Sequence, residues 1–65
     1  MNTYNDRERL VLSEIGMMTI ELISIGSRVD GYGIVDGLVV KADNEQNPAK
    51  KAILNDAITM VENSA

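Results

Sequence analysis

Apolar side chains recur at alternating spacings of four and three residues along the first part of the chain. They are Val11, Ile15, Met18, Leu22 and Ile25. A repeat of this kind is typical of an amphipathic helix that packs its apolar stripe against another helix. Asn5 or Asp6 can cap the start of such a helix, and Gly26 suits the position just past its end. The pattern predicts a helix over residues 7–25.

The apolar surface of this helix is wider than the stripe alone. Further apolar residues occur on both sides of it: Leu10, Leu12, Met17, Ile20 and Ile23. The polar remainder is a narrow band that contains Arg7, Glu14 and Glu21 at intervals of seven residues. A face this wide is more than one neighbouring helix can cover.

The last part of the chain also has helical spacing. Asn47-Pro48 is a suitable start, because asparagine caps helices and proline is favoured at the first helical position. The apolar positions that follow are Ala49, Ala52, Ile53, Ala57, Ile58, Met60 and Val61. We predict a helix over residues 48–62, joined to the preceding element by the polar segment 42–47.

The middle stretch, GSRVDGYGIVDGLVV at residues 26–40, is compatible with two structures. Asp36-Gly37 is a strong β-hairpin signal, but a hairpin turning there would carry apolar residues on both faces. As a helix capped by Asp30, the same segment has one apolar stripe, although Gly33 and Gly37 each cost about 1 kcal/mol relative to alanine. We favour a helix over residues 31–42 and an all-α fold of three helices. The alternative is an α-ββ-α fold.

Length and composition favour self-association. The 65 residues form a single small domain, residues 1–65, with 1–5 expected to be disordered, and a chain of this size is marginally stable alone. It has no cysteine and no histidine, which removes disulfides and the commonest zinc ligands, yet 45% of its residues are apolar. We therefore predict a homodimer whose interface is the seam of the first helix: Val11, Ile15, Met18, Leu22 and Ile25.

No pattern in the sequence indicates catalysis or cofactor binding. The glycines at 31, 33 and 37 depart by one residue from the dinucleotide-binding fingerprint and follow a helix rather than a strand. The segment DNEQNP at 43–48 begins like a calcium loop, but Pro48 stands where the loop needs glycine. We predict no catalytic, cofactor-binding or metal-ligating residue, and hence no enzymatic activity.

Charge bears on the partners of the chain. The net charge is −4 and the basic residues are scattered, so nucleic acid is a poor candidate for the main partner. Glu14 and Glu21 interrupt the most apolar run, which excludes a membrane span and leads us to expect a soluble cytoplasmic protein. A protein is the expected partner, with Arg28, Tyr32 and Lys41 as candidate contact residues.

The order of these elements resembles a known family. The stretches LSEIGMMTIELISIGSRVDGYGIVDGLVVKAD and AKKAILNDAITMVE are similar to the small enterobacterial regulators of the AriR/YmgB type. The similarity covers residues 8–62, with the helix stop at Gly26 and the helix entry at Val29-Asp30. Glycines at 31, 33 and 37 stand where that family carries polar residues.

The resemblance implies an all-helical, dimeric, non-enzymatic regulator of biofilm formation and acid resistance. Such proteins are described as two-component-system connectors that bind a response regulator of the Rcs type. Two alternatives remain from the residues. One is a DNA-binding regulator that uses Arg28, Lys41, Lys50 and Lys51. The other is a small antitoxin-like or phage-encoded inhibitor that binds a larger protein.

Overall fold

The computed structural model describes residues 4–64 and contains three helices. They are α1 (Asp6–Ser24), α2 (Gly31–Asn44) and α3 (Pro48–Ser64). No strand occurs within residues 4–64, so the prediction of an all-α fold with three helices is confirmed. Each helix packs against both of the others, and the radius of gyration is 11.7 Å.

Helix α1 is closed at both ends by local hydrogen bonds. The Asn5 side chain accepts a hydrogen bond from the Glu8 amide at 2.8 Å, and Glu8 Oε1 accepts one from the Asn5 amide at 3.3 Å. This reciprocal capping box fixes the first turn. At the other end Gly26 has a φ of 71°, which glycine adopts without steric cost. The Ser27 amide donates to the Leu22 carbonyl at 2.9 Å, completing a Schellman motif.

Helix α2 settles the choice for the middle stretch, and the hairpin alternative is wrong. Asp36 and Gly37 lie inside α2 rather than in a turn. Asp30 caps the helix, its carboxylate accepting a hydrogen bond from the Gly33 amide at 2.8 Å. Leu38 is fully buried, and burial of the apolar stripe against α1 and α3 offsets the low helix propensity of the glycines.

Helix α3 begins where the Asn47-Pro48 pair predicts. Asn47 Oδ1 accepts hydrogen bonds from the amides of Ala49 at 2.9 Å and Lys50 at 3.2 Å. Asparagine therefore serves as the cap and proline as the first helical residue. The side chain of Asn47, in the segment that resembles the start of a calcium loop, is used for this cap.

The three helices enclose a small apolar core. Its buried members are Val11, Met18, Leu22, Leu38, Ala42, Leu54 and Ala57. No polar side chain is buried among the residues that the structure describes. Of the segment 1–5, predicted to be disordered, residues 1–3 lie outside the described range, whereas Asn5 forms the cap of α1.

Candidate interaction surfaces

The seam predicted as a dimer interface lies mostly inside the single chain. Val11, Met18 and Leu22 are buried in the core, and Ile15 is half-buried against it. Only Ile25 is largely exposed, at 75%. Helices α2 and α3 of the same chain thus already cover three of the five seam side chains. Dimerisation through the seam stays a prediction, but it would compete with this intramolecular packing.

A second apolar surface of α1 faces away from the core. At 100° per residue, the exposed side chains fall on one arc of α1, which we call the outer α1 face: Leu10, Ser13, Gly16, Met17, Ile20 and Ile23. Leu10, Ile20 and Ile23 are 56%, 64% and 62% exposed. No charged residue lies on this arc between Leu10 and Ile23. The width of the apolar pattern indicated a second neighbour, but periodicity alone did not show which side of α1 it would contact.

Two of the three predicted partner residues come together in the structure. Arg28 and Tyr32 line a cavity of about 800 Å³ between the start of α2 and the end of α3. Lys41 does not contribute to it. Its Nζ atom lies 2.8 Å from Glu21 Oε1, so Lys41 bridges α2 to α1.

We call this cavity the Tyr32 groove, after its exposed tyrosine. It is lined chiefly by Arg28, Tyr32, Val35, Asp36, Val61 and Glu62. Tyr32 is 86% exposed, the highest value among the large exposed apolar side chains of residues 4–64, whereas Val35 and Val61 are half-buried. An apolar floor with an exposed aromatic ring beside it is typical of surfaces that bind a protein partner.

Some charged side chains around the Tyr32 groove form an ion pair, whereas others have no partner in the described structure. Arg28 Nε lies 3.1 Å from Asp30 Oδ2 and forms an ion pair. Asp36 and Glu62 make no hydrogen bond or ion pair through their side chains within residues 4–64. The groove therefore presents two free carboxylates beside an apolar floor.

A second groove lies on another side of the molecule and has mixed charge. Its volume is about 620 Å³, and its charged residues are Glu14, Lys41, Glu45 and Lys50. Leu10 and Val40 are its exposed apolar residues. Equal numbers of acidic and basic side chains give this groove no net charge that would select a partner.

Of the basic residues of the DNA-binding alternative, Lys41 and Lys50 line the same groove, but Arg28 lies apart from them. Arg28 precedes α2 and Lys50 follows it in the first turn of α3, so the 14-residue α2, about 20 Å long, separates them. Arg28 and Lys41 are also engaged in ion pairs with acidic neighbours. This placement does not form the continuous basic patch that nucleic-acid binding requires.

Neither a metal cluster nor a membrane helix is found in the described part of the chain. Within residues 4–64, no three acidic side chains come close enough together to hold a metal ion. No helix in the same range combines the length and the hydrophobicity needed to cross a bilayer. What the described structure offers is apolar surface for binding, on the outer α1 face and in the Tyr32 groove.

Comparison with known proteins gives no match, so a function has to be inferred from these surfaces. The chain matches no protein-family model, no curated protein and no solved structure. The resemblance to AriR/YmgB-type regulators thus remains an expectation from the sequence.

Proposed function

We propose that the protein is a non-enzymatic, cytoplasmic regulator that works as a homodimer and modulates a signalling or transcription-regulatory protein. The proposal extends to the two-component connector role, and so to biofilm and acid-resistance regulation, that the family resemblance implies. A response regulator is the partner expected on that basis. The Tyr32 groove is the proposed contact surface for it.

The observation that supports a binding role is the amount of exposed apolar side chain on so small a domain. Within the described range, ten large apolar residues are exposed, including Tyr32 at 86% and Ile20 at 64%. Single exposed apolar residues are normal, but contiguous groups of them mark interaction sites. Four of them lie together on the outer α1 face, and Tyr32 stands beside the half-buried Val35 and Val61 in the Tyr32 groove, which supports two separate contacts.

The Tyr32 groove favours a protein ligand over nucleic acid. Asp36 and Glu62 are free carboxylates at its edge, and they repel phosphates. A partner segment with apolar side chains for Val35 and Val61, and a lysine or arginine for the carboxylates, fits this surface. Such complementarity sets specificity and association rate more than affinity.

A capture experiment tests the partner role. The tagged protein is incubated with lysate of its native host, with and without nuclease, and bound proteins are identified by mass spectrometry. We expect a response regulator or another regulatory protein to be retained after nuclease treatment and to be lost with Tyr32→Ser. The control is Val40→Ser, since Val40 is 59% exposed but does not line the groove.

The identified partner is then purified and its binding measured directly. Binding that weakens with Tyr32→Ser and not with Val40→Ser supports the proposal. Recovery that depends on nucleic acid, or that is equal for both variants, contradicts the assignment of the Tyr32 groove as the contact surface.

A further inference from the structure

We infer that the outer α1 face binds a second copy of this chain, with the two α1 helices antiparallel and a two-fold axis passing between Gly16 and Met17. The inference rests on the homodimer in the proposed function and relocates its interface from the buried seam to the exposed side of α1. The second copy is the single occupant assigned to this face.

The outer α1 face lacks the charges that keep a helix in water. From Leu10 to Ile23 it carries four large apolar side chains and two small residues, Ser13 and Gly16. The apolar side chains are between 45% and 64% exposed. Glu14 and Glu21 lie beside the face rather than on it, and Glu21 is held by Lys41. An uncharged helix face of this length is typical of a helix–helix contact.

The residues on this face are complementary to themselves when the helix is reversed. With the axis between Gly16 and Met17, Ser13 lies opposite Ile20 of the second copy near the centre of the contact, whereas Leu10 and Ile23 lie towards its two ends. Beside the axis, Met17 meets Met17 of the second copy on one flank and Gly16 meets Gly16 on the other, where an added Cβ would meet no other atom within 4 Å in the single chain. Ile20 therefore faces a small residue, and the two Gly16 residues let the helices approach each other. A two-fold interface requires this kind of self-complementarity.

The antiparallel direction is also favoured by charge. The macrodipoles of antiparallel helices attract, whereas those of parallel helices repel. At the N-terminal end of the face, Arg9 lies near Ser24 of the second copy in an antiparallel pair. In a parallel pair, Arg9 would lie near Arg9 of the second copy and Asp6 near Asp6, and these like charges would repel each other.

The chain exposes more surface than a compact monomer of its size. It exposes 4648 Å², and a monomer of 7.1 kDa is expected to expose about 4,080 Å². The excess over the whole chain, roughly 570 Å², is smaller than the about 800 Å² that each partner buries in an interface of standard size. We therefore expect a small interface and a reversible dimer.

The outer α1 face is tested by comparing a substitution on it with a substitution in the Tyr32 groove. Molar mass is measured by analytical ultracentrifugation over a micromolar concentration series. Wild type should approach twice the monomer mass, and Ile20→Glu should stay monomeric with unchanged helical content by circular dichroism. The matched control, Tyr32→Glu, introduces the same charge at an exposed residue away from α1 and should dimerise like wild type.

Cysteine cross-linking tests the register, and it is simple here because the chain has no cysteine. Met17→Cys lies beside the axis and should cross-link under mild oxidation. Leu10→Cys alone should not, because 13 residues along the helix, about 20 Å, separate it from its own copy, while a disulfide needs Cα atoms roughly 4.4–6.8 Å apart. A mixture of Ser13→Cys with Ile20→Cys should cross-link, because these two positions face each other near the centre of the contact.

Several outcomes would overturn the inference. They are a wild-type chain that is monomeric throughout the series, an Ile20→Glu variant that still dimerises, and cross-linking of Leu10→Cys with itself, which indicates a parallel pair. A monomeric wild type that still binds a regulatory protein through the Tyr32 groove would remove the dimer and leave the partner role. A wild-type chain that dimerises but binds no regulatory protein would remove the partner role and leave the dimer.

Discussion

Gly37 of α2 lies directly against the thioether of Met18 in α1. A Cβ atom on residue 37 would stand 2.7 Å from Met18 Cε and closer still to its sulfur. Met18 is buried at this point. The absence of a side chain at position 37 therefore lets α1 and α2 approach each other, with the methionine filling the space between them.

We expect Gly37→Ala to destabilise the fold by at most about 1 kcal/mol, because the atoms in the way belong to the flexible end of Met18. Overpacking a filled core costs about 1–3 kcal/mol, and the gain in helix propensity returns only about 1 kcal/mol. Gly16→Ala is the matched control, since an added methyl there meets nothing in the single chain. Urea unfolding of dilute protein, followed by circular dichroism, should lower the midpoint for the first variant and raise it for the second. Equal shifts would show that Met18 does not constrain residue 37.

Gly26 should resist substitution because of its backbone conformation. Its φ of 71° costs a residue with a Cβ roughly 1–2 kcal/mol. We expect Gly26→Ala to lower the free energy of unfolding by that amount. Gly26→Asn should lose less, since asparagine tolerates this region better. Equal losses in thermal or urea unfolding would argue against the Schellman motif as the cause.

Asp30 should contribute more through its cap than through its ion pair. It accepts the Gly33 amide hydrogen bond at 2.8 Å, and loss of an N-cap costs about 1 kcal/mol. The pair with Arg28 is largely exposed on the arginine side, where such pairs contribute about 0–1 kcal/mol. Asp30→Ala should therefore destabilise the protein, whereas Asp30→Ser and Arg28→Ala should leave it close to wild type. A larger loss for Arg28→Ala than for Asp30→Ala would reverse this assignment.

Leu38 should be the most sensitive core position. It is the largest fully buried side chain, and shortening a buried leucine to alanine costs about 2–5 kcal/mol. A 65-residue chain has a total stability of roughly 3–10 kcal/mol, so Leu38→Ala should unfold at low urea or be unfolded in buffer. Val40→Ala, at a residue 59% exposed, should change stability by less than about 0.5 kcal/mol. Comparable midpoints for the two variants would contradict the burial of Leu38.

The helices were predictable from the sequence because their signals are local. The N-termini of α2 and α3 are marked by the capping side chains of Asp30 and Asn47, and the end of α1 by the positive φ of Gly26. Each of these signals acts within a few residues. The predicted ranges 7–25, 31–42 and 48–62 differ from the observed bounds by at most two residues. The choice between hairpin and helix for the middle stretch was also decided correctly by the single apolar stripe that contains Leu38.

The surfaces were harder to predict, because they depend on which side of α1 the rest of the chain covers. Met17 and Met18 are adjacent and equally apolar, yet Met18 is buried and Met17 is 45% exposed. A helical repeat gives the width of an apolar face but not the position of α2 and α3 around it. The pairing of Gly37 with Met18 likewise depends on contact between two helices and has no signal in either segment alone.

The position of the Tyr32 groove has a consequence for valency. The groove lies between α2 and α3, and no residue of the outer α1 face lines it. Pairing through α1 would leave both grooves open, so one assembly would offer two identical binding sites. A partner that is itself dimeric could engage both sites at once, and tethering of this kind raises avidity by about 10²–10⁴-fold without any new contact. The regulator would then discriminate between the monomeric and dimeric forms of its target, although each groove by itself binds both equally.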